Sequence, residues 1–201
     1  MTNGRRTGTR NPEETRRRIA RAAMELHQEV GPAATTITGI AERAGVQRLT
    51  VYRHFPDERA VIGACSALWE ESHPLPDTAR WAGMTDPAGR LRTALEEVYG
   101  YFRRGAPMLE KILRDEPEMP ELVQQMVSYH AWFRELAGQL CAGWGADPDA
   151  QRLIRAAVVH AVDFRTWRSL SREGLEDGEV AAMLARLVTC TADGGVAPSH
   201  T

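Results

Sequence analysis

Little in these 201 residues serves covalent bracing, membrane insertion or metal chemistry. The cysteines number three, Cys65, Cys141 and Cys190; they are odd in number and far apart, which argues against a disulfide framework and fits free thiols in a reducing cytoplasm. No apolar run approaches the roughly 18 residues that a bilayer-spanning helix needs, so no membrane partner is expected. The N-terminus is polar and Arg-rich and lacks the apolar stretch of a secretory signal. No alternating β-rich run stands out. A nucleophile elbow, a P-loop and a dinucleotide fingerprint are all missing, and so is metal-ligand spacing such as His-Glu-x-x-His. An enzyme or a metal centre therefore has no motif behind it, and no cofactor or metal is expected. What remains is ordinary globular composition, 43% hydrophobic and 26% charged, in a chain long enough to bury a core as one or two units.

The net charge of −2 conceals an asymmetry. Met1 to Arg59 holds 11 Arg against 7 Asp and Glu, whereas from Ala60 onward 20 acidic residues outweigh 14 basic ones. Attraction to phosphate thus belongs to the first segment.

Nearly every segment carries helical periodicity, which predicts an all-α chain of about nine helices. Residues 1–10 read as a flexible basic tail and 193–201 as a second loose tail. Asn11, Pro12, Glu13 and Glu14 form a cap, a first-turn proline and an acidic first turn, opening a helix whose apolar face is Ile19, Ala22, Ala23, Leu26 and Val30. Gly31-Pro32 stops it. Further on, Pro56-Asp57 starts a helix bearing Val61, Ile62, Cys65, Leu68 and Trp69. Asp86-Pro87 opens a long helix and Ala106-Pro107 a separate shorter one; Trp81 to Asp86 reads ambiguously. Another helix carries Leu122, Met126, Tyr129, Phe133, Leu136 and Leu140. A single helix is expected from Asp147-Pro148 to about Ser171, with Leu153, Ala157, Ala161, Phe164 and Arg168 roughly in line, and a last one from about Asp177 to Thr191, with Val180, Met183, Leu184, Leu187 and Val188 apolar.

Residues 36–55, TITGIAERAGVQRLTVYRHF, are the most informative segment. Thr36 caps a short helix with Ile37, Ile40, Ala41 and Ala44 inward. Ala44-Gly45-Val46 makes a tight turn. A second helix from about Gln47 to Phe55 packs through Val46, Val51, Tyr52 and Phe55 and presents hydrogen-bond donors outward. That layout is a helix-turn-helix reader of duplex DNA.

Thr36, Ile40-Ala41, Ala44-Gly45-Val46 and the Thr-x-Tyr-x-His-Phe pattern of Thr50, Tyr52, His54 and Phe55 resemble the DNA-binding domain of TetR-type transcriptional regulators. The likeness runs from about Thr15 to Val61. It implies an N-terminal three-helix helix-turn-helix domain at residues 11–56 and a larger helical ligand-binding and dimerisation domain at 57–192. It also implies a homodimer on a palindromic double-stranded operator, a largely apolar small-molecule effector, and repression relieved when that effector binds. Such a regulator works in the cytoplasm.

The resemblance and the chemistry of the side chains together name the candidates. Arg48 can bond guanine O6 and N7, with a solvated surface arginine as its alternative, and Gln47 can read adenine. Leu49 either meets a thymine methyl or packs against the second helix. Thr50, Tyr52 and His54 match backbone-contacting positions and would set register on phosphates; Tyr52 could equally be partly core. Arg53 has a base or a phosphate open to it, Thr36 a phosphate, and Thr38 a base or sugar. Two departures stand out. Glu58 occupies a position where many relatives carry lysine, and Gly39 replaces the acidic residue that would complete a capping box. Arg5, Arg6 and Arg10 could form a minor-groove arm or a solubilising tail.

For the effector, the residues expected to line an apolar pocket are Trp69, Tyr99, Phe102, Met108, Met126, Tyr129, Phe133, Phe164 and Trp167, with His130, His160 and Asp163 as interior polar groups. The alternative for each stripe is plain core. An enzyme and a helical dimer with a decayed DNA reader are the competing classes.

Overall fold

Asn11 starts the first helix: its side chain accepts from the Glu13 amide at 3.1 Å, and Pro12 occupies the first turn of α1, Pro12–Glu29. The computed structural model describes residues 11–145 and 147–193; the tail readings for 1–10 and 194–201, including the arginine arm, lie outside them. Among the described residues there are ten α-helices, one 3-10 turn and no strand, so the all-α expectation holds with one helix more than read from periodicity. Contacts divide the chain into two units, one holding residues up to Ser72 together with Glu110–Gln125, the other His73–Leu109 with the residues from Met126 onward.

In the first unit, α2 (Ile37–Ala44) and α3 (Arg48–His54) form the helix-turn-helix, and α4 (Glu58–Ser72) packs along α1. The Thr36 hydroxyl accepts from the Gly39 amide at 3.0 Å, as the sequence predicts. Gly45 ends α2 at φ 62, a left-handed conformation that favours glycine, and its N–H closes onto the last turn. The core is Ile19 and Ala23 from α1, Ile40, Ala41 and Ala44 from α2, Val51 and Phe55 around α3, and Val61 and Cys65 from α4. Val30 departs from expectation: it is the C-cap of α1 and stands exposed, because the helix ends before the apolar stripe returns inward.

The end of α6 (Pro87–Asp115) belongs to this unit from Glu110 on. Asp115, only 6% exposed, accepts from the Ala33 amide at 3.0 Å and from Arg114, while Arg114 also donates to the Val30 carbonyl at 3.0 Å. This clasp surrounds Gly31, whose φ is 98; a Cβ there would fall 2.5 Å from Asp115 Oδ2 and closer still to Arg114. A 3-10 turn, Glu116–Glu118, follows.

The second unit contains α5 (Ala79–Ala82), the first part of α6, most of α7 (Pro120–Leu140), α8 (Pro148–Ala161), α9 (Phe164–Arg172) and α10 (Asp177–Ala192). The ambiguous stretch around Trp81 is the short helix α5, fixed by burial of the Trp81 ring. Two boundaries correct the periodicity reading. Pro107 does not start a helix but lies inside α6: Phe102 before it and Met108 and Leu109 after it are all buried, and that burial holds the helix through the proline's penalty of about 3 kcal/mol. Conversely, the expected helix to Ser171 is two helices, because Asp163 turns its side chain onto the amides of Arg165 at 2.7 Å and Thr166 at 3.3 Å and caps a new start. Leu153 and Leu187, expected on buried faces, are exposed; Ile154 and Val158 on α8, and Val180, Leu184 and Val188 on α10, take the interior.

Candidate nucleic-acid interface and effector body

The helix α3 is two-sided. Val51 and the capping Phe55 are 0% and 1% exposed, which fixes the helix on the core by its inner edge. Its outer side carries Gln47, Arg48, Leu49, Tyr52 and Arg53, all exposed, with Thr50 and His54 half-buried at the margin. Arg16 on α1 anchors the far end: its guanidinium lies 4.5 Å over the Phe55 ring and donates to the His54 carbonyl at 2.9 Å. Nothing in the sequence pattern pointed to Arg16, since its partners are 38 residues away.

The structure decides one alternative left open by the sequence. Leu49 is 77% exposed, so it does not pack against α2. Tyr52 is 46% exposed and lines a cleft in this unit. Thr36 and Thr38 at the start of α2 are exposed on the surface. An open groove runs along the other margin of α3, lined by Arg18, Glu42, Gln47, Thr50 and Arg53 among others.

Glu58 has a local physical role. It is the first residue of α4, where a carboxylate meets the positive end of the helix dipole, and Asp57 beside it accepts from the Ala60 amide at 2.8 Å. The acidic pair stabilises a helix start, at the cost of negative charge near the exposed arginines.

Under the helix-turn-helix, His27 is 4% exposed and its Nδ1 lies 3.3 Å from Cys65 Sγ. Burial pulls its pKa down to about 4, against a smaller upward pull from Asp115. Burial also pushes the Cys65 thiol up to about 12, so both groups are neutral at pH 7. Burial raises Asp115, but hydrogen bonds from Arg114 and Ala33 outweigh it and leave the carboxyl below its ordinary value.

The expected effector residues divide. Tyr99, Phe102, Phe164 and Trp167 are buried, and Phe133 is half-buried. Phe102 lies at the centre of a ring cluster, 5.5 Å from Phe133, 5.3 Å from Phe164 and 5.8 Å from Trp167 between centroids. Tyr129 joins through Phe133 at 4.7 Å. The Tyr99 hydroxyl donates to the Ala161 carbonyl at 2.7 Å. Trp167 Nε1 donates to Asp177 at 2.8 Å, and Arg103 grips the same carboxylate with two bonds of 2.8 and 2.7 Å. Burial raises Asp177, but Arg103 and Trp167 outweigh it and hold it below the ordinary range. Met108 and Met126 are buried and His130 half-buried. Three expectations shift: His160 is exposed, not interior, its ring turned to the Thr166 hydroxyl at 3.1 Å; Asp163 is spent as a helix cap; and Trp69 belongs to the first unit, on α4, apart from the ring cluster's own unit. No group of three or more potential metal ligands occurs among the described residues.

Residues 19–65 match the family described as bacterial regulatory proteins, tetR family. The chain is 33% identical over 103 residues to the tetracycline repressor protein class A from transposon 1721 of Escherichia coli, covering 46% of this chain and 48% of that one. It is 34% identical over 88 residues to the HTH-type transcriptional regulator TtgR of Pseudomonas putida, covering 43% and 42%. The match thus spans about half the length of the curated relatives. Among solved structures, a TetR-like transcriptional regulator from Rhodococcus sp. RHA1 superposes with a TM-score of 0.64 at 17% identity, over 90% of this chain and 96% of that one. A SmeT-triclosan complex gives 0.55 at 26% identity, over 93% and 96%.

Proposed function

The chain belongs to the tetR family of bacterial regulatory proteins, and from that premise we propose that it is a sequence-specific DNA-binding transcriptional regulator, a repressor released from its operator by a small-molecule effector. One observation carries the reading. The helix α3 is pinned to the core by Val51 and Phe55 while Gln47, Arg48, Leu49, Tyr52 and Arg53 stand in solvent, which is the disposition a major-groove reader needs.

In this reading residues 11–56 carry the DNA-reading function and residues 57–192 the effector and dimer functions. Arg48 bonds a guanine edge, Gln47 an adenine, and Leu49 covers a thymine methyl. Thr36, Thr50, Tyr52 and His54 hold phosphates, and Thr38 and Arg53 lie within the same footprint. Two copies present two α3 helices to a palindromic operator, about 34 Å apart. Exposed Leu153 and Val159 on α8 and Leu187 on α10 supply apolar surface for pairing. A largely apolar effector bound in the second unit shifts the population away from the DNA-competent spacing, by no more than its differential affinity for the two states. The complex of SmeT with triclosan supports an effector of small-molecule size. The protein acts in the cytoplasm, with its operator.

The test is a fluorescence-anisotropy titration against the DNA upstream of the protein's own gene. Arg48→Ala is expected to lose roughly 1 to 3 kcal/mol of specific binding. Unchanged affinity in that variant would remove the reader assigned here. A second reading, a helical ligand-binding dimer without a working DNA reader, draws on the exposed Glu58 carboxylate at the start of α4. A steep salt dependence of specific binding decides for the first.

A further inference from the structure

The first unit contains a cleft of about 280 Å³ bounded by the α1–α2 turn, α2, the end of α3 and the start of α4. Its lining is mixed, with Ile37, Ile40, Phe55 and Ile62 supplying the apolar part. Apart from the Tyr52 hydroxyl, which can donate or accept, the polar side chains that line it offer acceptors to an occupant. The Thr35 hydroxyl donates to the Gly31 carbonyl at 2.8 Å and so turns lone pairs outward. Cys65 donates its single S–H proton to the Ile62 carbonyl at 3.2 Å. Of the two tautomers that the Nδ1···Sγ contact allows in His27, the one compatible with that bond carries its N–H on Nδ1, which leaves Nε2 of this lining residue as an acceptor. Asp57 and Glu58 at the rim are carboxylates. The start of α4 offers no competing anion site, since Asp57 caps it and Glu58 stands in its first turn.

We propose that this cleft binds a small cationic molecule, a ring or short apolar body carrying a protonated amine or amidine, with the body against Ile40 and Phe55 and the donors turned to Glu58, Thr35 and His27. The volume suits a single-ring compound, below the size of most pocket ligands. Glu58, unfavourable towards DNA phosphate, acquires a purpose as the occupant's counter-charge. Tyr52 is part of the wall, so the occupant touches a residue of the DNA-facing helix directly. The site lies wholly within the first unit and does not involve the ring cluster around Phe102.

Benzamidine, benzamide and benzoate share one ring and differ in charge, and titrating each into the isotopically labelled full-length protein without DNA tests the proposal by NMR. Benzamidine is expected to give saturable shifts at Thr35, Tyr52, Phe55 and Val61, with affinity at least about tenfold above that of benzamide, and benzoate none. In Glu58→Gln, an exposed position where the change removes only a surface interaction with the helix dipole, benzamidine should fall to the level of benzamide. Saturable benzoate binding equal to that of benzamidine, an unchanged affinity in Glu58→Gln, shifts centred on Phe102 and Trp167, or no saturable shift at all would each overturn it. Because no DNA is present, loss of operator binding would count against the regulatory reading and leave this result standing.

Discussion

Leu49 yields a prediction at the level of one side chain. It is 77% exposed on the outer side of α3, so its apolar surface is free to meet a partner. If that partner is a thymine methyl, replacing one operator thymine by uracil should weaken the wild type by about 1 kcal/mol, and Leu49→Ala should become indifferent to the same replacement. Equal losses in both proteins would exclude the contact. His27 yields a prediction on pH. Its folded pKa of about 4 lies below the ordinary value of 6.5, so the unfolded chain takes up the proton first. Its contribution is complete above pH 6.5 and is lost as pH falls towards 4, on the order of 3 kcal/mol in all. A plot of Tm against pH should decline across that window, and His27→Gln should flatten the decline. Asp115 and Asp177, held below their ordinary values, lose their stabilising effect lower, as pH falls through the carboxylate range.

Among the elements, the informative cases are those in which local rules were outvoted. Pro107 ends a helix by local propensity, yet α6 runs through it from Pro87 to Asp115, because apolar side chains on both sides are buried. Asp163 acts in the opposite direction: within a periodic stretch it makes a better cap than a helix interior, and one expected helix becomes two. The turn after α1 depends on Gly31 for two independent reasons, its φ of 98 and the Arg114–Asp115 clasp that occupies the space of a Cβ. Gly31→Ala should therefore cost roughly 1 to 3 kcal/mol in urea unfolding, whereas the same change at the exposed, negative-φ Gly83, which has open space around it, should be close to neutral. Similar losses at both positions would show that the clasp does not constrain the turn.

At the scale of the whole molecule, α8 packs against α10, and each keeps apolar residues outward: Leu153 and Val159 on one, Leu187 on the other. If these faces pair two copies, Leu187→Glu should shift sedimentation from dimer to monomer and weaken operator binding, since a monomer offers only one α3. An unchanged sedimentation coefficient would place the pairing surface elsewhere.

The amino-acid sequence alone determined the helix-turn-helix, because its signals are local: the Thr36 cap, the glycine turn at Gly45, and the spacing of Val51 and Phe55 all act within a few residues of where they stand. It also determined the all-α class, through apolar periodicity repeated along the chain. Tertiary structure decided what depends on residues distant in the chain. Asp115 reaches the Ala33 amide across 82 positions, and His27 meets Cys65 across 38. Whether Leu49 faced solvent, whether His160 lay inside and which face of α10 was buried were likewise settled by packing. Burial and hydrogen bonding between distant segments are set by how the helices assemble, and no periodicity within one helix encodes its neighbours.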